Sequence, residues 1–138
     1  MFPKEVISLT KPYEEIQYVA EPELNEVSRL YAEWLLAEKA KKLKGKYGGQ
    51  CVVFARNFVK SAPGTIKGMA KNVPTNSDIP TVGAIIKTNE SKYGHLAVVI
   101  AINNGTLTLI ESNYNWNQRI GIREISVTDS RIKGYIIN

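Results

Sequence analysis

Apolar residues change their spacing near the middle of the chain, and the change sets the expected architecture. Leu24, Val27, Leu30, Tyr31, Trp34, Leu35 and Ala37 recur mostly in helical steps. Glu38 interrupts this stripe, which resumes more weakly at Ala40 and Leu43. Such a period predicts an amphipathic helix from residue 21 to about residue 44. Glu21-Pro22-Glu23 suits its first turn, where a proline loses no hydrogen bond and acids complement the dipole. Gly45 and the Gly48-Gly49 pair end it. A shorter helical segment follows, with Val53, Phe54, Ala55, Phe58 and Val59 in register, and stops before Ser61-Ala62-Pro63-Gly64. Residues 65–81 read as loop with a helical turn around 67–71. From residue 82 the period shortens. Segments 82–87, 95–102, 106–110, 120–127 and 132–137 read as strands separated by turn residues.

Helices first and strands afterwards predict an α+β domain, with N-terminal helices packed on a roughly five-stranded antiparallel sheet. The length, 138 residues, fits a single domain over 1–138. Residues 1–20 are poorly assigned, with a possible short strand at 6–9 between two proline-containing turns.

Composition narrows the class. With 43% hydrophobic and 22% charged residues the chain is ordinary for a globular protein, which excludes global disorder. A net charge of +5 suits an anionic partner such as nucleic acid, an acidic membrane or a teichoic-acid-bearing wall. It does not choose among them, because only residues 39–46 are densely basic. The lysines there read as a solvated helix end favoured by the dipole, in preference to a nucleic-acid patch. One cysteine excludes a disulfide scaffold, and one cysteine with one histidine leaves no set for a structural zinc. No apolar run approaches the ~20 residues of a membrane span, and the N-terminus lacks a signal-type apolar core. The expected setting is the cytoplasm of the producing cell with release by a separate route, or a virion. A removed leader or a longer parent protein would equally account for the pattern.

The candidate chemistry sits at two single residues. Cys51 lies where a glycine-rich turn meets a helix, and free N–H groups at a helix N-terminus lower a thiol pKa. A lone cysteine also serves as a small buried hydrophobe, and a lone histidine as a core or surface residue. His95 opens the second strand. A three-residue loop at 103–105 would pair Ile102 with Thr106 and set His95 opposite Asn113, with Glu111 one diagonal step away on the same face. A one-residue slip would reverse those faces. In this register Glu111 or Asn113 orients the imidazole by one nitrogen and leaves the other for a thiol.

Four stretches in order, Gly48-Gly49-Gln50-Cys51, Pro80-Thr-Val-Gly-Ala-Ile-Ile86, Tyr93-Gly-His95-Leu-Ala-Val-Val and Ile110-Glu-Ser-Asn113-Tyr-Asn, resemble the CHAP family (cysteine, histidine-dependent amidohydrolase/peptidase). The resemblance covers roughly residues 45–137 and implies a papain-like fold. It implies Cys51 as nucleophile, His95 as general base, Glu111 as the acid that orients the histidine and Asn113 as a further polar partner. Gln50 matches a family position that shapes the oxyanion site, although it would equally suit a helix cap. Tyr93, Tyr114 and Trp116 would line a substrate groove or simply pack at its rim. Family members mostly cut amide bonds in bacterial peptidoglycan, as N-acetylmuramoyl-L-alanine amidases or endopeptidases, in phage endolysins, tail-associated lysins and autolysins. The implied activity is therefore a cysteine amidase or endopeptidase with peptidoglycan as partner, no cofactor and no nucleic acid. Some relatives hold calcium in an Asp-rich loop before the nucleophile. Here residues 41–49 contain no Asp, Glu or Asn, so no metal site is expected. The rival readings are a papain-like enzyme on a non-wall substrate (a toxin-like protease, deamidase or acyltransferase) and an inactive basic binding module.

Overall fold

The computed structural model describes residues 21–59 and 62–138, with side chains described from Glu26 onward. Helix α1 spans Glu21–Leu43 and helix α2 Cys51–Phe58, followed by a 3-10 turn at Ala70–Asn72. Five strands complete the fold: β1 Ile85–Thr88, β2 His95–Asn103, β3 Thr106–Ser112, β4 Ile120–Ser126 and β5 Ile132–Ile136. They form one antiparallel sheet in the order β4-β3-β2-β1-β5. This is the expected α+β arrangement. The possible strand at 6–9 lies outside the described residues.

Successive residues of a strand face opposite sides of a sheet, so a continuous apolar run predicts burial on both. The run from Leu96 to Ile100 is buried throughout. Leu96, Val98 and Ile100 join Ile85, Ile110 and Ile136 beneath the helices, where α2 contributes Val52, Phe54, Ala55 and Phe58. Ala97 and Val99 point the other way, into a second cluster with Ile86, Leu107, Leu109, Ile125 and Tyr135. Helix α2 is thus pressed against the sheet by Phe54, Ala55 and Phe58 of the expected stripe, but Val52 takes the core place expected of Val53, which is exposed.

Two further expectations need correction. On α1, Leu30, Trp34 and Leu35 are 43%, 47% and 45% exposed. The face that meets the core is Leu36, which lies outside the expected stripe, with Ala40 and Leu43 from its weaker continuation. A helical period locates stripes, and only tertiary packing decides which one is covered. Tyr31 and Trp34 instead stack on each other along the outer face, with ring centroids 6.1 Å apart.

The second correction is the β2–β3 turn, which has two residues in place of three. Asn103 pairs with Thr106 across Asn104-Gly105, whose φ angles are 50° and 78°. Asparagine and glycine tolerate this left-handed geometry, whose twist matches that of the strands. A bulge between Val99 and Ala101 then absorbs one residue, and Val98 pairs with Ile110. The offset at the far end is therefore the one that places His95 across from Asn113.

Candidate active site

The approach to Cys51 is a strap tied to the start of β4. Gly45 N donates to Ile120 O at 2.8 Å, Ile120 N to Lys46 O at 2.9 Å, and Gly48 N to Gln118 O at 2.9 Å. The Tyr47 hydroxyl adds a 2.9 Å bond to Gln118 Oε1. Gly48 is required by space, since a Cβ there would fall 2.5 Å from both Ile120 Cγ1 and Ser112 Oγ. The buried Ser112 hydroxyl donates to Gly49 O at 2.6 Å, so β3 holds the last turn before Cys51. Gln50 occupies the N-cap position of α2 but its side chain makes no capping bond, and it faces the cleft.

His95 is delivered by a tight approach as well. Gly94 has φ +74°, and a Cβ on it would meet Lys71 N at 2.7 Å. The imidazole is buried, and its Nε2 lies 2.8 Å from Glu111 Oε1. That leaves Nδ1 for Cys51, whose sulfur is hydrogen-bonded to the ring and to the backbone of Leu96 and Val52. Burial opposes the Cys51 thiolate, but the His95 hydrogen bond, the Leu96 backbone bond, the charge on the ring and the Val52 bond together outweigh it and lower the thiol pKa. Burial likewise opposes the imidazolium. Bonds to Cys51 and Glu111, and the charges they carry, nevertheless raise the His95 pKa to about 9. For Glu111, burial is overcome by His95 and Arg123, and the carboxyl pKa is lowered. The three groups therefore favour one charge pattern: thiolate, imidazolium, carboxylate.

Of the two ring partners the sequence leaves open, Glu111 makes the contact, and Asn113 bonds within its own loop. Its Oδ1 accepts from Gln118 N at 2.9 Å, which closes the 113–118 loop, while Glu111 takes the ring nitrogen. Asn113, Trp116 and Gln118 all carry positive φ, at 66°, 61° and 58°, a costly concentration for residues with a Cβ. The loop so held presents Trp116 at 67% exposure, edge-on to Tyr93 at 6.0 Å. Both rings border a cleft of about 1000 Å³ that also exposes Gln50, Cys51, His95 and Asn113. Tyr114 borders it too, with its ring 5.7 Å from His95 and the Arg123 guanidinium 3.9 Å over its face.

Arg123, Glu90 and Ser112 are site residues that sequence reasoning missed. The available signal for Arg123 was a charge in phase with the buried Ile125 on β4; its partner needed the β3–β4 register, in which Leu109 faces Arg123. Among the described residues, no group of three or more His, Cys, Asp or Glu side chains is placed to hold a metal ion.

Comparison with known proteins brings these positions into a common frame. A family model described as the CHAP domain matches residues 40–113, which include Cys51, His95, Glu111 and Asn113. Staphylococcal secretory antigen ssaA2 of Staphylococcus aureus (strain NCTC 8325 / PS 47) is 29% identical over 96 residues, 63% of this chain and 36% of that protein. Staphylococcal secretory antigen SsaA of the same strain is 35% identical over 75 residues, 48% of this chain and 29% of that protein. The chain thus matches about a third of the length of these relatives. A solved structure described as "The crystal structure of Ly7917 with the hydrolyzing product of MDP" shares the fold at TM-score 0.58 and 19% identity, covering 75% of this chain and 61% of that one. "The crystal structure of Ly7917" aligns at TM-score 0.55 with the same identity, covering 72% and 60%.

Proposed function

The chain belongs to the CHAP domain family, whose model covers more than half of it, and on that premise we propose that it is a cysteine-dependent hydrolase of amide bonds in bacterial peptidoglycan. The observation that carries this reading is the bonded series Cys51, His95 and Glu111, of which Cys51 and His95 line an open cleft. In the proposed reaction the Cys51 thiolate attacks the amide carbonyl and forms a C–S bond. The N–H groups in the first turn of α2, which no Gln50 side-chain bond caps, stabilise the oxyanion with the Gln50 side chain beside them. The His95 imidazolium then gives its proton to the departing amine, leaving a thioester. Water attacks the thioester with His95 as base, releasing the carboxylate and restoring the thiolate.

The secretory names of the staphylococcal relatives, and the hydrolysis product in the solved neighbour, support a substrate at the cell wall. Tyr93 and Trp116 form the wall against which a sugar or stem peptide would lie. Digestion of purified peptidoglycan, followed by mass analysis of the soluble products, tests the reading. Free stem peptides with new N-terminal amines on L-alanine define an amidase, and opened cross-links with stems still attached define an endopeptidase. Cys51→Ala and His95→Ala are expected to lower turnover by roughly 10⁴-fold or more while circular dichroism stays that of the parent chain. Intact sacculi with the parent chain, or full activity in Cys51→Ala, would overturn the proposal.

A further inference from the structure

Behind Glu111 lies a second layer of charge that the mechanism above does not use. Arg123 Nε donates to Glu111 Oε2 at 2.8 Å, and its Nη2 to Glu111 Oε1 at 3.0 Å. The other edge of the guanidinium grips Glu90, with Nη1 2.8 Å from Oε2 and Nη2 2.8 Å from Oε1. Glu90 also accepts from Thr88 Oγ1 at 2.8 Å and from Arg131 Nη1 at 3.3 Å. The two carboxylate side chains are only 3% and 7% exposed.

We propose that Arg123 is a positioning residue for the Cys51–His95 pair, acting through Glu111, and that Glu90 is the anchor that fixes Arg123. The inference rests on the reading of Cys51 and His95 as nucleophile and base. A carboxylate held at one oxygen by an imidazole is free to turn about its broad terminal torsion. Arg123 removes that freedom by binding both oxygens, and a planar fork does this where a lysine ammonium cannot. Its Nη2 shares Glu111 Oε1 with His95 Nε2, so guanidinium, carboxylate and ring are set by the same atom.

Charge points the same way. The groups facing this line are Cys51 from α2, His95 from β2, Arg123 from β4, Glu90 and Tyr114 from loops, and Arg131 just before β5. Arg123 opposes the imidazolium from one residue away. Without it, however, Glu111 Oε2 is left buried and unpartnered, and burial drives a carboxyl towards its neutral form. Loss of the full negative charge in contact with the ring exceeds the relief of a more distant repulsion.

The test needs no substrate. Alkylation of Cys51 by iodoacetamide is followed from pH 5 to 10 in the parent chain, Arg123→Met, Arg123→Lys, Glu90→Gln and Glu111→Gln, with thermal melts alongside. At pH ~6 the alkylation rate is expected to fall roughly 10- to 100-fold in Arg123→Met, less in Arg123→Lys and Glu90→Gln, with the profile moving towards that of an ordinary thiol. Peptidoglycan turnover by the same variants should lose kcat with KM unchanged. A folded Arg123→Met that keeps the parent profile overturns the proposal; if that variant does not fold, a parent-like profile in Arg123→Lys does so. An unshifted Glu111→Gln overturns it as well. A parent chain that alkylates fast at low pH yet leaves sacculi intact removes the peptidoglycan reading and leaves this one standing.

Discussion

His95 is buried, which should discourage its charge, yet its pKa is raised to about 9 by Cys51 and Glu111. Cys51 moves the other way, its pKa lowered chiefly because the His95 bond and its companions outweigh burial. Between the two titrations the thiolate and imidazolium coexist, and the proposed reaction needs both, one to attack and the other to protonate the leaving amine. A bell-shaped profile of kcat/KM against pH is therefore expected. Its acid limb marks protonation of the thiolate below the ordinary thiol range, and its alkaline limb loss of the imidazolium near pH 9. Glu111→Gln takes the negative charge from Nε2 and should pull the alkaline limb to lower pH; an alkaline limb that stays put would detach Glu111 from the ring. The linkage to folding has a definite sign. With the folded pKa above the unfolded value of 6.5, pairing of His95 stabilises the fold fully below that pH and is lost as pH rises through about 9.

Between elements, the decisive junction is the strap over 45–49, which joins α1 to α2 while bonded to the 118–120 segment and to Ser112 on β3. Because Ser112 is next to Glu111, one strand fixes both the turn before Cys51 and the carboxylate behind His95. Gly48→Ala inserts a methyl 2.5 Å from Ile120 and Ser112 and should cost about 1–3 kcal/mol by overpacking. Ser112→Ala strands the Gly49 carbonyl and should cost about 1–3 kcal/mol. Denaturant melts measure both costs, and thiol alkylation reads whether Cys51 has moved; unchanged midpoints would show the strap to be loose. The same junction shows what the residues alone reveal. The contact of His95 with Glu111 was legible because a short Asn-Gly turn restricts the possible registers, even though the turn has two residues and a bulge supplies the offset. The grip of Arg123 on Glu111 was not legible, because the β3–β4 register passes through a loop with three left-handed non-glycine residues that no turn signature specifies. Nor could the period of α1 tell its covered face from its exposed one.

Over the whole molecule, the net charge of +5 and the chemistry of the cleft bear on what the protein needs in order to act. The strap before Cys51 is the place where a bound cation would most directly order the proposed nucleophile. Residues 41–49 offer no carboxylate there, and Lys41, Lys42, Lys44 and Lys46 repel a cation. Order in the strap comes instead from backbone bonds to Gln118 and Ile120 and from the Ser112 hydroxyl. The carboxylates nearest the ring, Glu111 and Glu90, are already bound to Arg123, so a metal would have to displace a guanidinium held at four contacts of 2.8–3.0 Å. Hydrolysis is therefore expected to persist in EDTA, to vanish on alkylation of Cys51, and to need reductant that keeps the thiol from oxidising. Turbidity loss of purified sacculi, measured with EDTA, with iodoacetamide, and with each after added calcium or zinc, separates these effects. Activity lost in EDTA and restored by either metal would overturn the expectation and place an ion in the catalytic state.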